Sequence, residues 1–464
     1  MGESVNSGVA MERRSIFPTG PGIFLGIALC AHLAAVVQAG FGKPVTGATL
    51  FLIGQFALSM ALIRLIDGRW LFQDIRFFFA LVAFLYGGFL PIVVLFTGGE
   101  IAGLGGAALC YALGFVGFNF VLWWARRPWR DVSVAAFERV RPSFVSALLI
   151  VLVLAWVVAY GVSRGLRISA TIDRRQMFWI YSQVWVVSMM VMNGFAIYVF
   201  AGWSKLTRRA KWIVGVTIVA FVLLHLSLGN RRDFLPMILF LAGLTATRRH
   251  AVIRLSTMAW GLLAFAMLTV LAVVRQVIMA PLLLLSSPVE LFITQNEFVI
   301  PIQTLMYYVT ANHPFRLGWT YLSAPALFLP RIFWPAKPES LSVQFLRDAF
   351  GTSAGMGYAY TPVTEAYLNF GYFGPFIVFT LLAIGMNWLV KNANRHPVVY
   401  FLCFGMVLDF NRGNFGETLY PIVVMAAGYM AMDFASRLRW APRRWRATWP
   451  VDPARQASGL APGY

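Results

Sequence analysis

Charge is scarce in this chain, and negative charge scarcer still. Only 12% of the 464 residues are charged, with 18 Asp and Glu against 38 Lys and Arg. Soluble domains carry roughly 25%, so a soluble globule is excluded. The three cysteines, Cys30, Cys110 and Cys403, each lie inside an apolar run with no paired spacing. That excludes a disulfide framework and a cysteine metal cluster. There is no HExxH and no P-loop, against a zinc protease of that type and a P-loop ATPase. Gly351–Gly355 fits G-x-S-x-G, but without a preceding strand or a following helix signal it lacks the nucleophile elbow. No inverted repeat of the kind found in many secondary transporters is visible.

What is present is apolar sequence, at 59% of residues and a mean hydropathy of +0.71. It falls in runs at 22–38, 46–65, 77–97, 101–124, 144–162, 178–201, 212–228, 234–247, 255–274, 372–390, 397–410 and 419–435. Crossing a bilayer as helix takes about 20 residues, so the expected fold class is an all-α polytopic membrane protein with about twelve transmembrane helices. The eighth and eleventh runs are short, and read as re-entrant or half-helices. The polar stretch Met1–Arg14 precedes the first run without a convincing cleavage site, so a retained first span is expected. The expected divisions are 1–274 (nine spans), 275–371 (a large outer loop), 372–435 (three spans) and 436–464 (a basic tail).

The net charge of +20 does not imply nucleic acid, because no basic soluble domain exists to bind it. The cations instead flank the spans. Arg13 and Arg14, then Arg64, Arg69 and Arg76, Arg126 to Arg141, Lys205 to Lys211, Arg248 to Arg254, Lys391 and Arg395, and Arg437 to Arg446 all fall on one side of a twelve-span chain. The positive-inside rule makes that side cytoplasmic, with both termini inside. The outer turns at 39–45 and 98–100 are poor in cations, which makes the outer exceptions informative: Arg164 to Arg175, Arg231 with Arg232, and Arg412.

Arg275–Gly374 is the one long interruption, rich in Trp, Tyr, Phe and Pro among scattered charges. Loops of this length in compact proteins are rare and usually functional. Ser287–Glu290 reads as a capping box opening a helix to about Val299, with Pro301 bending or ending it. Leu341–Phe350 reads as a second helix, closed by Gly351, and Gly355–Pro362 as non-helical.

Arg231 and Arg232 stand at the mouth of a helix pair, where guanidinium forks match a phosphate better than lysine does. Asp233 opens the next helix, whose free N–H groups add positive potential. Snorkelling to headgroups, or pairing with Asp233, is the alternative role. Arg275 closes the apolar run from Met258 and should face a polar cavity or the membrane rim. Arg412 has a second reading as a partner of Asp409 or Glu417. Glu365 is the first choice of general base for a sugar hydroxyl, with Glu417 and Asp233 next; ion pairing is its alternative role.

Gly229-Asn230-Arg231-Arg232, Arg275, the outer-loop run Pro330-Arg331-Ile332-Phe333-Trp334-Pro335-Ala336-Lys337-Pro338 and Glu365-Ala366-Tyr367-Leu368-Asn369-Phe370-Gly371 resemble the Wzy-type oligosaccharide repeat-unit polymerases over roughly residues 180–430. The resemblance implies a fold like the GT-C glycosyltransferases and a multi-pass protein of the bacterial inner membrane. It implies a polymerase joining undecaprenyl-diphosphate-linked repeat units at the periplasmic face, without cofactor or metal. By the resemblance Arg231, Arg232, Arg275 and Arg412 would bind the diphosphate. Together with the reading of the residues, Glu365, Arg232 and Arg275 are the catalytic candidates, and Arg231, Arg331, Lys337, Arg412 and Tyr367 the substrate-binding ones. Expected partners are the lipid-linked glycan, membrane lipid and a chain-length regulator protein. A ligase of similar fold and a lipid-linked oligosaccharide flippase are the alternatives.

The charge pattern predicts that a cysteine at Ser353 is labelled by an impermeant reagent in intact spheroplasts, whereas one at Thr207 is protected. The opposite pattern would invert the topology.

Overall fold

The computed structural model describes residues 21–129, 132, 137, 140–166, 182–228, 233–249, 251–253, 296, 298–311, 313–329, 334, 338–352 and 358–437. Seven long helices come first: α1 (Pro21–Gly40), α2 (Pro44–Asp67), α3 (Ile75–Thr97), α4 (Leu104–Ala125), α5 (Phe144–Ser163), α6 (Gln183–Ala201) and α7 (Arg208–Ser227). The shorter α8 (Leu235–Arg248) follows. Then come α9 (Ile300–Thr310), α10 (Trp319–Ser323) with a 3-10 turn over Ala324–Phe328, α11 (Leu341–Phe350) and α12 (Pro362–Phe370). The chain closes with α13 (Phe373–Asn392), α14 (Pro397–Gly405), α15 (Val407–Phe410) and α16 (Phe415–Arg437). Two-residue strands β1 (Trp70–Leu71) and β2 (Val252–Ile253) pair antiparallel.

Nine helices among the described residues are long and apolar enough to cross a membrane: α1 to α7, α13 and α16. The protein is therefore a polytopic helical membrane protein. Of the other three apolar runs, the eighth forms the 14-residue α8, and the eleventh is broken into α14 and α15. The ninth, with Arg254 and Arg275, lies outside the described residues.

Burial separates central from peripheral helices. The most apolar window is 67% buried in α4 and in α6, but only 17% in α1 and 28% in α5. The exposed Leu, Val and Trp side chains of α1 and α5 are therefore the lipid-facing surface. Lipid gives apolar side chains little reason to prefer one another, so close backbone approach and polar bonds set helix pairing. A side chain at Gly117 would strike the Phe376 carbonyl, which is how α4 and α13 come together. Gly194 likewise admits the Met425 carbonyl where α6 crosses α16.

A buried ion network joins the ends of five segments. Arg76, with 0% of its surface exposed, donates to Asp74 through Nε at 3.0 Å and Nη2 at 2.8 Å. Nη2 also reaches Asp67 at 2.8 Å, and Nη1 donates to the Arg127 carbonyl at 2.6 Å and more distantly to Asn387 at 3.4 Å. Asp67 accepts the Trp129 N–H at 2.6 Å. Asp74 also caps α3 by accepting the Arg76 N–H at 2.9 Å. Tyr400 of α14 accepts the Ile75 N–H at 2.8 Å and donates to the Gln73 carbonyl at 2.7 Å. Arg76, read from sequence only as one of several cations on the cytoplasmic side, is therefore an internal tie.

The short helices α9 to α12, which form a cap between α8 and α13 in the chain, differ from expectation at two prolines. Pro301 opens α9 rather than ending a helix, because Pro has no N–H to lose in the first turn. The Ser287–Glu290 capping box lies outside the described residues. Pro362, expected to end a non-helical run, opens α12 as a separate helix, ended by Gly371 at φ 62. As expected, α11 covers Leu341–Phe350 and stops at Gly351, φ 65. Tyr308, Leu341, Phe345, Tyr360 and Leu368 form a small core that joins α9, α11 and α12.

Arg76→Met should strand two buried carboxylates and lower stability by about 3–5 kcal/mol. The combination Asp67→Asn, Asp74→Asn, Arg76→Met should recover part of that loss. Unfolding of the detergent-solubilised protein measures both, and an Arg76→Met variant as stable as wild type would contradict the tie.

Candidate functional site

The site is built on α12. Thr361 caps it by accepting the Thr364 N–H at 2.9 Å, and Pro362 supplies a preset first turn. Gly374, in the first turn of α13, lies so close to the Ala366 carbonyl that no side chain could stand there, which presses α12 against the span. Four residues separate Glu365 from Asn369, so both share one helix face.

That face reaches two neighbouring elements. Glu365 is 1% exposed, yet each carboxylate oxygen has a donor. Thr320 of α10 donates to Oε1 at 2.7 Å, and the Phe415 N–H, at the start of α16, donates to Oε2 at 2.6 Å. Asn369 donates from Nδ2 to Thr320 Oγ1 and to the Glu365 carbonyl, both at 2.7 Å. Its Oδ1 accepts the Gly318 N–H at 2.9 Å. The Arg316 and Leu317 N–H groups donate to the Leu368 and Asn369 carbonyls at 3.0 and 3.1 Å. Leu317 takes a left-handed φ of 47 to make this return.

Glu365 forms part of the wall of an open cavity of about 100 Å³. Arg316, Trp319, Glu339, Gln344 and Asn414 are among the other lining residues. Arg316 donates from Nη1 to Gln344 Oε1, and Glu339 takes its cation from outside the cavity, Arg347 at 2.8 Å. Asn414 caps α16 by accepting the Glu417 N–H at 2.9 Å. Burial pushes the Glu365 carboxyl up to about 7, against the two hydrogen bonds that favour its charged form. The Tyr321 phenol is held above its ordinary range by burial, and then by the charge of Glu365. The arrangement fixes one carboxylate, near its titration midpoint at neutral pH, on the wall of a polar cavity. Such a group can take a proton from a hydroxyl brought to it.

Three of the sequence-expected residues are described. Glu365 is in the cavity wall. Arg412 is half-buried in the turn that also carries Asn414 and Phe415. Tyr367, two positions beyond Glu365 and so about 200° round the helix, packs near Tyr372 and Phe315 instead of lining the cavity. Arg231, Arg232, Arg275, Arg331 and Lys337 lie outside the described residues. Of the alternative bases, Glu417 accepts from Ser342 at 3.1 Å. Asp233 is buried and faces His225 of α7 at 3.2 Å. No group of three or more His, Cys, Asp or Glu that could hold a metal occurs among the described residues. Arg316, Thr320 and Asn414 went unrecognised in the sequence. Asn369 had a signal, its spacing of four from Glu365.

The comparisons bear on this arrangement. No curated protein and no solved structure matches the chain. The family model described as O-antigen polysaccharide polymerase Wzy matches residues 177–432, more than half of the chain. That span begins with α6 and includes the cap, Glu365 and most of α16. A polytopic helical protein, matched by this model over more than half of its length, belongs to the O-antigen polysaccharide polymerase Wzy family.

Proposed function

We propose that the protein joins undecaprenyl-diphosphate-linked oligosaccharide repeat units at the periplasmic face of the bacterial inner membrane. In this reading twelve spans place 275–371 outside and both termini in the cytoplasm. No nucleotide sugar or ATP is at hand there, so the donor glycan arrives already activated as a lipid diphosphate.

The observation that carries the reading is the buried Glu365 carboxylate in the cavity wall, raised to about 7 by burial. The acceptor hydroxyl oxygen attacks the anomeric carbon of the donor glycan. Its proton passes to Glu365, a new glycosidic C–O bond forms, and the old C–O bond to the diphosphate breaks. The leaving diphosphate keeps the bonding pair. Arg231, Arg232 and Arg275 neutralise its developing charge, arginine doing this without a metal. Arg412, on the turn held by Glu365, joins them on the diphosphate, with Arg331 and Lys337 on the glycan. Tyr367 supports α12 through its packing. Deleting the gene tests the reading: surface glycan should collapse to single repeat units. Complete loss of glycan would point to a ligase or flippase.

Arg232→Lys and Arg275→Lys keep charge but lose the two-pronged fork. Each should lower the polymerisation rate roughly a hundredfold, about 3 kcal/mol of transition-state stabilisation, at unchanged protein level. Normal surface polymer in both variants would make these arginines headgroup anchors.

Glu365 sets a pH dependence of activity and an opposite one of stability. The base form exists above about pH 7, so kcat/KM should fall as pH drops through that value. Glu365→Gln should be slower by roughly 10²–10⁴ and lose this dependence. Because the carboxyl is raised from 4.5 on folding, the native state binds the extra proton. Its contribution to stability is complete below pH 4.5 and is lost as pH rises through about 7. Unfolding scans should show that slope in wild type and not in Glu365→Gln. Near-normal turnover in the Gln variant would pass the role of base to Glu417 or Asp233.

A further inference from the structure

The cavity beside Glu365 has a composition more selective than an acceptor hydroxyl requires. Asn414 is 3% exposed. Its Oδ1 is taken by the Glu417 N–H at 2.9 Å, while its Nδ2, which belongs to a cavity-lining residue, is buried with no acceptor among the described residues. At the start of α16, Glu365 takes the Phe415 N–H, and Asn414 takes those of Glu417 and Thr418. The Gly416 N–H between them, also in the cavity wall, has no acceptor among the described residues. A buried amide donor without a partner is costly. Among the described residues these two donors lack an acceptor, and an oxygen of a bound ligand would supply one.

The charge in the wall says which oxygen. An anion would sit beside Glu339 and Glu365, with Arg316 the cation of the lining. A neutral carbonyl meets no such repulsion. Ser323 lines the same cavity and donates its proton to the Thr320 carbonyl at 3.2 Å, which leaves its lone pairs free to accept an N–H. Ala324, Ala326 and Leu341 are apolar residues of the same lining. Donors for a carbonyl, an acceptor for an N–H and a patch for a methyl group together complement a secondary acetamide. The size agrees. A cavity of about 150 Å³ accepts the six heavy atoms of benzene, so the roughly 100 Å³ here takes about four, as many as an acetamido group has.

We propose that this cavity recognises the N-acyl substituent of an amino sugar at the accepting end of the glycan. The carbonyl oxygen accepts from Asn414 Nδ2 and the Gly416 N–H, the amide N–H donates to Ser323, and the methyl group lies against Ala326 and Leu341. Trp319, 60% exposed at the same cavity, offers an aromatic face to the ring that carries the substituent. The inference rests on the polymerase reading for its acceptor, but not for the binding it predicts.

The test uses full-length protein in nanodiscs and two probes, the methyl glycosides of N-acetylglucosamine and of glucose, followed by saturation-transfer NMR. Wild type should bind the N-acetyl probe at least tenfold more tightly, with the acetyl methyl protons the most strongly saturated, because a site built for a polar group rejects the analogue lacking it. Asn414→Asp keeps the oxygen that caps α16 and replaces the donor by an acceptor. It should abolish the preference without lowering the unfolding temperature. Ala326→Leu, which fills the methyl end, should do the same if Asn414→Asp folds poorly. Equal affinity for the two probes, failure to bind either, or an unchanged preference in the folded variants would overturn the assignment. The polymerase reading fails separately, if deleting the gene leaves the surface ladder intact.

Discussion

A buried guanidinium is the constraint on which the rest of this fold leans. Arg76 cannot stay charged inside the protein unless its donors are matched, and Asp74, Asp67, the Arg127 carbonyl and Asn387 match them. Those acceptors come from α2, α3, the segment after α4, and α13. Such a cluster adds little net stability compared with well-packed apolar residues, but it tolerates few alternative arrangements. In a membrane protein that specificity matters more than usual, because lipid does not reward burying one leucine against another. One helix of the cluster, α13, presses at its other end on α12 through Gly374.

Glu365 plays a comparable part in the cap, with a different balance. Its two oxygens hold α10 and the start of α16 to α12. The donors are neutral hydroxyl and amide groups rather than cations, so burial prevails and the carboxyl rises to about 7. Structural tie and proton acceptor are therefore compatible roles for one side chain. The same hydrogen bonds that fix its position leave it able to titrate at neutral pH.

Membership of the O-antigen polymerase family and the arrangement of the cap suggest a division of labour. The arginines clustered in sequence near 231 and 275 suit a diphosphate, which needs several diffuse positive contacts. The cavity by Glu365 is small and is lined by carboxylates together with apolar residues, which suits a neutral sugar group. Arg412 lies on the turn between α15 and α16, which also carries the cavity residue Asn414, so donor and acceptor functions could meet there with little chain between them.

The sequence by itself determined the membrane class and nearly all of the long helices. Run length and hydropathy are local quantities, and a bilayer reads them locally. It also singled out Glu365, and it placed α11 through its closing glycine. Tertiary structure alone decided that Arg76 is internal, since a cation near a span end looks alike whether it faces water or two carboxylates from other segments. It decided that α12 is a separate helix, because the break at Gly371 serves a contact with α13. It also assembled Arg316, Thr320 and Asn414 around Glu365, from positions up to almost a hundred residues apart. No spacing rule joins such residues, because only the packing of α10, α12 and α16 makes them neighbours.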